Sequence, residues 1–376
     1  MKYIFLIAGF NAFFFTVLLF QKKLRALHDN ILIVWLIYLG LLIGIYSFYS
    51  HDLFTHFHLL SISLLSLLML HGPFLYIYIL ALVSDKRHIR RKESLHFVPF
   101  LFFNLYILIA SFYPEISERL SLEKLYPEDE PPLLFLFFLI LTALSGTVYF
   151  LLTIRLFKKF DINIFNNFSN STNIDLYWIR KLILLFGIAW TALISVAVIH
   201  HIFHMFSMVF CTDGLFLSLS VFVILIGYFG LKQKVIFTAE NILIPEDASM
   251  TQVKYSGSRL KDTEAKSYAG KLVNHMELSK QYLNPDLTLP QLAAELGISA
   301  HLLSQLINER FELNFFEFVN RYRVEAFKEK IADPRYANFS LLGIAFDCGF
   351  NSKSAFNRIF KKATGLTPSQ YKHTAI

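Results

Sequence analysis

The chain has 376 residues, of which 55% are apolar and only 17% are charged, and its net charge is +7. A soluble globular protein usually contains about 25% charged and 45–50% apolar residues, so this composition excludes a chain made only of soluble domains. The two cysteines, Cys211 and Cys348, fall in different halves of the chain and form neither a disulfide framework nor a cysteine-based zinc motif.

Seven stretches of the first 231 residues are long and apolar enough to cross a membrane, which takes about 20 residues. Each is predicted to be helical, because backbone polar groups in lipid must be paired within their own segment. Charged residues rather than a small-x-small cleavage site follow the first stretch, so we interpret it as a retained helix. The stretches are 3–20, 31–50, 59–83, 95–113, 133–154, 182–204 and 212–231.

Lysine and arginine concentrate in alternate loops, which predicts the orientation of a membrane protein. The opposite loops carry only Arg119 and Lys124, with Lys2 near the N-terminus. We therefore expect a multi-pass protein of the inner (cytoplasmic) membrane, with its N-terminus outside and its C-terminal domain in the cytoplasm. The basic loops contain Lys22, Lys23, Arg25; Lys86, Arg87, Arg90, Arg91, Lys92; Arg155, Lys158, Lys159, Arg180, Lys181; and Lys232, Lys234.

Beyond the last apolar stretch the composition becomes that of a soluble domain. We predict three parts: a seven-helix membrane domain over 1–234, a linker over 235–261 and a soluble domain over 262–376. The soluble domain opens with a predicted helix from Thr263 to Leu283, which presents Tyr268, Leu272 and Met276 on one face. This face either packs on its own domain, which we favour, or forms a dimer contact.

Residues 288–308 have the pattern of a helix-turn-helix motif. Thr288 is suited to cap a helix whose first turn contains Pro290, and Gly297 is suited to the tight turn that follows. Ser299 then caps a second short helix, whose inward residues are predicted to be Leu303, Leu306 and Ile307.

The same pattern recurs over residues 340–363. Ser340 caps the first helix, Gly349 makes the turn, and Ser352 caps a second helix that ends near Gly365. Between the two motifs, Phe315 to Ile331 is predicted to be one rigid helix of about 25 Å. A spacer of this length suits two recognition helices in successive major-groove segments, about 34 Å apart.

The second motif resembles the arabinose-regulator (AraC-type) family of transcription regulators. The family pattern is Ile-Ala, Gly-Phe, Ser-x-Phe, Phe-Lys-Lys and Gly-x-Thr-Pro-x-x-Tyr, and residues 344–371 read IAFDCGFNSKSAFNRIFKKATGLTPSQY. Tyr371-Lys372 departs from the Tyr-Arg common in the family but keeps the charge. The whole layout resembles the subgroup with a seven-helix membrane domain. The resemblance implies an all-α fold, sequence-specific binding of double-stranded DNA and contact with RNA polymerase.

Base-reading residues are expected at the start of each recognition helix, on its exposed face. His301, Ser304 and Gln305 occupy this face in the first motif. Lys361 and Lys362 are expected to contact phosphate, while Arg321 and Arg323 on the linking helix suit either phosphate or ion pairs with Glu317 and Glu325. The expected face of the second motif holds Lys353, Ser354, Asn357 and Arg358.

Histidines cluster at the predicted outer level of the membrane helices. His200 and His204 share a helix face, and with His56 they form a candidate transition-metal or pH-sensing site, but we favour the alternative of interfacial histidines without a ligand. The other members of the cluster are His51, His58 and His201.

These observations together predict a membrane-embedded one-component regulator that has no cofactor and is not an enzyme. Its expected partners are DNA, the lipid bilayer, a second copy of the chain, and a small ligand or signal at the membrane domain. Two alternatives remain open: a membrane receptor or transporter whose helical tail docks a protein partner, and a membrane half that only anchors the DNA-binding domain. An intramembrane enzyme ranks last, because no helix carries a catalytic constellation.

Overall fold

The computed structural model describes residues 2–48, 58–84, 88–120, 132–170, 176–203, 208–233 and 262–375. Within these ranges the regular structure is helical and contains no strand. The one pairing of extended backbone found there is an isolated antiparallel bridge between Phe168 and Thr288. The predicted all-α fold class is therefore confirmed.

The N-terminal half contains nine helices in its described residues, most of them long and apolar. In chain order they are α1 (Lys2–Phe20), α2 (Leu27–Ser47), α3 (His58–Val83), α4 (Arg91–Ser94), α5 (Val98–Ala110), α6 (Pro114–Arg119), α7 (Leu133–Asn167), α8 (Tyr177–Phe203) and α9 (Met208–Lys232).

Six described segments are long and apolar enough to cross a membrane by length and composition. The predicted span 182–204 falls on α8, but residue 204 lies outside the described residues, so the count of seven stays a prediction. The six segments are Lys2–Phe20, Leu27–Ser47, Ile62–Val83, Arg91–Ala110, Leu133–Asn167 and Asp213–Lys232.

Helix α7 extends well beyond the predicted apolar span, which ended at residue 154. It continues through Arg155, Lys158 and Lys159 to Asn167. Hydropathy detects the part of a helix that suits lipid, whereas the helical backbone continues wherever its own hydrogen bonds can form. The charged end of the helix, from Lys158 onward, belongs by its contacts to the same compact unit as the C-terminal domain.

Contacts divide the chain into two compact units. The first comprises Met1–Phe157 and Leu176–Phe237, and the second comprises Lys158–Asp175 and Thr238–Ile376. In the first unit α1 packs against α2 and α9, and α3 packs against α2 and α5. Glycines permit some of these approaches: a Cβ on Gly9 of α1 would lie 3.4 Å from the carbonyl oxygen of Gly40 on α2. Small residues of this kind let membrane helices approach closely.

The second unit contains seven described α-helices beyond residue 261. They are α10 (Asp262–Ser279), α11 (Leu289–Glu295), α12 (Ala300–Phe311), α13 (Phe315–Ala332), α14 (Leu341–Asp347), α15 (Lys353–Thr364) and α16 (Pro368–Ala375).

One apolar core joins these helices. Leu272 and Met276 of α10 are fully buried in it, and Tyr268 packs against its edge. The favoured interpretation of this face, packing on its own domain, is thereby supported. The predicted helix from Thr263 to Leu283 ends earlier than expected, because Lys280 adopts a left-handed conformation and a 3-10 turn, Gln281–Leu283, follows.

Candidate nucleic-acid interface

The first helix-turn-helix motif consists of α11 and α12, and side chains cap both helices. Thr288 forms a capping box with Gln291: its hydroxyl accepts the Gln291 backbone N–H at 3.4 Å, and its own N–H donates to Gln291 Oε1 at 2.9 Å. Gly297 turns the chain with φ of +69°. Ser299 Oγ then accepts the backbone N–H of Leu302 at 3.2 Å and starts the recognition helix. The predicted capping residues are confirmed.

The second motif, α14 and α15, repeats this construction. Ser340 Oγ accepts the N–H of Gly343 at 3.0 Å, and Ser352 Oγ accepts the N–H of Ala355 at 3.2 Å. Between the helices, Gly349 has φ of +89°. A Cβ there would lie 2.5 Å from the Tyr282 carbonyl oxygen, so only glycine fits this turn.

The linking helix α13 connects the two motifs. Asn314 caps it by accepting the Glu317 N–H at 2.9 Å. Its 18 residues correspond to a rod of about 27 Å. Buried residues of α13, among them Phe318, Val319 and Phe327, belong to the core that also holds both motifs. The two recognition helices are therefore fixed to one rigid element.

The recognition helix α15 separates its two faces cleanly. Phe356 and Phe360 are buried, whereas the residues predicted to read DNA are exposed: Lys353, Ser354, Asn357 and Arg358, together with Lys361 and Lys362. From residue 341 to the end, the chain carries five lysines and arginines and one acidic residue, Asp347. The exposed face therefore presents hydrogen-bond donors and positive charge, as an interface with DNA requires.

Lys362 differs from Lys361 in having an anionic partner. Its ammonium group lies 2.7 Å from a Glu317 carboxylate oxygen at the start of the linking helix. The hydrogen bond from Lys362 lowers the pKa of Glu317 below its ordinary value, so the pair is ionised at neutral pH. The positive charge of Lys362 is thus partly balanced before any phosphate approaches.

The first recognition helix departs from expectation at one residue. His301 is exposed and Ser304 is half-buried, but Gln305 is only 4% exposed. Its side-chain amide donates to Glu309 Oε1 at 3.0 Å. The expectation of an exposed Gln305 was therefore wrong, because its side chain is covered within the fold and bonds Glu309 of its own helix.

Arg323 of the linking helix also differs from expectation, whereas the phosphate contact of Arg321 stays a prediction. Arg323 is 1% exposed, so it neither reaches a phosphate nor pairs with a surface carboxylate. Arg321 is exposed, and its guanidinium lies 6.0 Å from the ring centre of Phe311. The predicted acidic partners are engaged elsewhere, Glu317 with Lys362 and Glu325 with Lys328 at 2.8 Å.

Arg323 instead joins segments distant in sequence. Its Nε donates to the Tyr282 carbonyl at 2.7 Å, and Nη2 donates to the Asn284 carbonyl at 2.8 Å. Further bonds reach Ser169, a residue that no sequence pattern marks as a partner of Arg323. Burial lowers the pKa of Arg323 to about 10, which still leaves it charged at neutral pH.

Cys348 is a packed thiol, as predicted. It is fully buried beneath the second turn, and this burial raises the pKa of its thiol to about 11. A thiolate is the reactive form of cysteine, so Cys348 is inert while the domain is folded.

The predicted metal site cannot be located on the described residues. His56 and His204 lie outside them, and nothing is described of the His200 side chain. Among the side chains that are described, no group of three His, Cys, Asp or Glu residues is placed to hold a metal ion.

Comparison with known proteins identifies the C-terminal region. Residues 292–374 match the helix-turn-helix domain family. An uncharacterized HTH-type transcriptional regulator of Staphylococcus aureus (strain COL) is 34% identical over 91 residues, which cover 24% of this chain and 12% of the relative. The regulatory protein PocR of Salmonella typhimurium is 28% identical over 91 residues, covering 24% of this chain and 29% of that protein.

Among solved structures, a protein of unknown function from Listeria innocua is 27% identical, with a TM-score of 0.25, and covers 28% of this chain and 95% of that one. The chain spans about an eighth of the length of the Staphylococcus relatives, 12%. The similarity therefore concerns one domain: an AraC-type helix-turn-helix domain at the C-terminus, shared with proteins named as transcriptional regulators.

Proposed function

We propose that the chain is a membrane-embedded, one-component transcription regulator, whose cytoplasmic C-terminal domain binds specific DNA under the control of its membrane half. The observation that carries this proposal is the pair of capped recognition helices, α12 and α15, held by a single rigid helix. Lys353, Ser354, Asn357 and Arg358 form the base-reading face of the second motif, and His301 and Ser304 begin that of the first. Lys361 and Lys362 contact phosphate. Gln305 would reach a base only if its side chain turned outward.

The surface of the first unit supports membrane embedding. Large apolar side chains project outward along its helices, including Phe10 at 69%, Phe102 at 60% and Leu133 at 84% exposure. Water-soluble monomers rarely expose apolar patches of more than a few hundred Å². Such an apolar surface is suited to contact lipid. A second copy of the chain would cover only part of the surface.

A cluster of aromatic residues around His71 supports a sensing role for the membrane half. The His71 ring lies between helices, 5.2 Å from the ring centre of Trp35, 5.6 Å from Trp190 and 4.6 Å from Phe186. Within the described residues, both ring nitrogens of His71, the indole nitrogens of both tryptophans and the Tyr78 hydroxyl are buried without a hydrogen-bond partner.

Polar atoms buried without partners are costly in a membrane, so ionisable groups there usually mark a functional site. The indole nitrogens can only donate hydrogen bonds, and the surrounding rings are flat and apolar. Once these packed rings separate, the donors would suit an uncharged, lipid-soluble molecule with a flat apolar body and one or two hydrogen-bond acceptors. This ligand class belongs to the same proposal, as the signal that the membrane half would sense.

Selection of DNA by the full-length protein tests the proposal. The protein in lipid nanodiscs is incubated with a pool of randomised duplexes, and the bound duplexes are sequenced. We expect enrichment of a motif with two half-sites about 10–10.5 base pairs apart. Replacing Lys353 and Arg358 by alanine should weaken binding to the selected duplex by at least tenfold, because each lost base contact costs about 1–3 kcal/mol.

A matched control removes two equal charges elsewhere. The double variant Lys266→Ala/Lys271→Ala changes two exposed residues of α10 and should keep the wild-type affinity. If the wild-type protein enriches no motif but a lysate protein binds its tail, the chain is instead a membrane receptor with a protein-docking domain.

A further inference from the structure

The end of helix α7 and the three residues after it pack on the DNA-binding domain. We define residues 158–170 as the latch segment. They belong to the C-terminal unit by their contacts, although they directly continue a helix that begins at Leu133. Phe168 pairs with Thr288 in an antiparallel bridge, and the Ser169 N–H donates to the Leu287 carbonyl at 3.1 Å. The segment thus lies against the capping residue of the first helix-turn-helix motif.

The linking helix contributes the other side of this contact. The Asn320 side-chain amide donates to the Ser169 carbonyl at 3.0 Å. The rings of Phe165 and Phe316 meet edge to face, with centres 5.2 Å apart. Phe168 and Ser169 are both buried. The latch segment therefore touches both the two residues that precede α11 and the linking helix α13.

Arg323 adds buried hydrogen bonds from a charged group to this contact. A guanidinium group has five N–H donors, and all five are accounted for here. One goes to the Tyr282 carbonyl, one to the Asn284 carbonyl and one to Asn320 Oδ1 at 3.4 Å. The remaining two go to Ser169, one to its carbonyl at 2.9 Å and one to its hydroxyl at 3.0 Å.

Releasing the latch segment would remove two of the five hydrogen-bond acceptors around the Arg323 guanidinium. Buried donors that lose their acceptors are costly, more so when charged, so the domain does not lose Ser169 without rearranging around Arg323. The contacts named above involve no residue of the proposed DNA-reading set, whose members are exposed while the segment is bound, except for the half-buried Ser304. The contact therefore leaves the DNA-reading surface open and acts on the orientation of the motif.

We propose that the surface formed by Leu287, Thr288, Phe316, Asn320 and Arg323 is the receiving site for control by the membrane half, and that its ligand is the latch segment of the same chain. The bound state is the one that binds DNA. Movement of α7 withdraws Ser169, Arg323 loses its partners, and the first motif loses its fixed orientation on the linking helix. This inference rests on the proposed function, because its readout is DNA binding.

The first experiment tests the contact alone and needs no DNA. In a Cys211→Ser background, Phe168→Cys/Thr288→Cys should form a disulfide on mild oxidation of the full-length protein in nanodiscs. Directly opposed residues of an antiparallel pair have Cβ atoms about 4.5–5.5 Å apart, close to disulfide geometry. The control pair Phe168→Cys/Glu325→Cys, with Glu325 two residues from Arg323 on another side of the linking helix, should not cross-link. Equal yields from the two pairs would overturn the proposal.

The second experiment measures coupling to DNA. Ser169→Ala removes one hydrogen bond to a charged group, and we expect affinity for the duplex selected by the wild type to fall by about tenfold. The control Ser279→Ala removes an exposed hydroxyl that bonds only its own helix, and it should have no effect. Oxidation of the Phe168→Cys/Thr288→Cys pair in the Ser169→Ala protein should restore the affinity, and reduction should remove it again.

This rescue separates control of DNA binding from a loss of folding. Cys348 should stay unreactive in the Ser169→Ala protein, which verifies that the domain is intact. Wild-type affinity in Ser169→Ala, or no recovery on oxidation, would refute the latch. A wild-type protein that selects no duplex at all would refute the proposed function instead, while the cross-linking result would stand by itself.

Discussion

Two glycines in equivalent turns carry different steric demands. Gly297 and Gly349 both have positive φ, but a Cβ on Gly297 would meet open space, whereas one on Gly349 would meet Tyr282 and the Arg323 Nε at 2.9 Å. Adding a side chain therefore strains the backbone at both positions but creates a clash at one. The second turn also lies against the arginine that holds the latch segment.

The two alanine variants should separate these effects. Gly297→Ala should lower the free energy of unfolding by about 1–2 kcal/mol, the cost of a left-handed conformation for a residue with a Cβ. Gly349→Ala should cost at least about 3 kcal/mol, since overpacking adds to the strain. In a Cys211→Ser background, the reactivity of Cys348 at increasing denaturant concentration measures the loss of stability in each variant. Equal losses would show that the clash is relieved at no cost.

Lys361 and Lys362 should differ in the salt dependence of DNA binding. Each phosphate contact contributes about 0.9 to the slope of log affinity against log salt. Lys361→Ala should lower the slope by about that amount, and Lys362→Ala by less, because Glu317 already neutralises Lys362. Titration of the selected duplex at several salt concentrations measures both slopes, and a larger effect of Lys362 would contradict the role given to the ion pair.

Acid should weaken the Lys362–Glu317 pair. The folded-state pKa of Glu317 is depressed, so its contribution to stability is present above its unfolded pKa and is lost as the pH falls through the folded value. The midpoint of denaturant unfolding should therefore fall more on acidification in the wild type than in Glu317→Gln. Parallel pH profiles of the two proteins would contradict this.

For single residues, the sequence predicts correctly those conformations that neighbouring residues along the chain determine. Caps at Thr288, Ser299 and Ser352, and the glycine turns, depend on residues within a few positions, and all were found as predicted. Gln305 and Arg323 were misplaced because their burial depends on which helices pack against them. Ser169 gave no local signal, since its partners lie more than a hundred residues away.

The helices show a similar division at the scale of elements. Apolar length located the helices of the first half, but it ended α7 at residue 154, where charge begins, although the helix continues to Asn167. Hydropathy indicates which residues suit lipid, not where a helix ends. The latch segment is polar and charged, but most of it is still helical. The latch segment therefore lies in a part of the chain that the charge pattern predicts to be a loop.

Replacing Thr288 tests how much the N-terminal cap of α11 contributes to the stability of the domain. Thr288→Ala should lower the free energy of unfolding by about 1 kcal/mol, whereas Thr288→Ser keeps the accepting oxygen and should stay within a few tenths of the wild type. Denaturant unfolding followed through Cys348 distinguishes the two. If serine were as damaging as alanine, the methyl group of the buried Thr288 would matter more than its cap.

At the scale of the whole molecule, the proposed orientation makes a prediction about both faces of the membrane. In a Cys211→Ser background, Tyr113→Cys should react with an impermeant maleimide added outside intact spheroplasts, because Tyr113 is exposed and ends the predicted span 95–113 on its outer side. Ile162→Cys, exposed in the latch segment, should react only after the membrane is opened. The reverse pattern would place the DNA-binding domain outside the cell.

The aromatic cluster around His71 allows a direct search for a ligand. Two of the three tryptophans of the chain, Trp35 and Trp190, lie in the cluster, so their fluorescence reports on it. Naphthoquinone, a flat molecule with two carbonyl acceptors, should quench them saturably in nanodiscs, whereas naphthalene should not. His71→Phe should weaken the saturable quenching, and identical curves for both compounds would remove the basis for an acceptor-binding site.

Whether this membrane-held protein reads DNA can be measured by chromatin immunoprecipitation of the tagged full-length chain from its native cell. We expect sharp peaks that share a motif of two half-sites about one helical turn apart, and their loss in Lys353→Ala/Arg358→Ala while the protein remains in the membrane fraction. A membrane-located wild-type protein whose peaks are absent, or are unchanged by the double variant, would contradict this expectation.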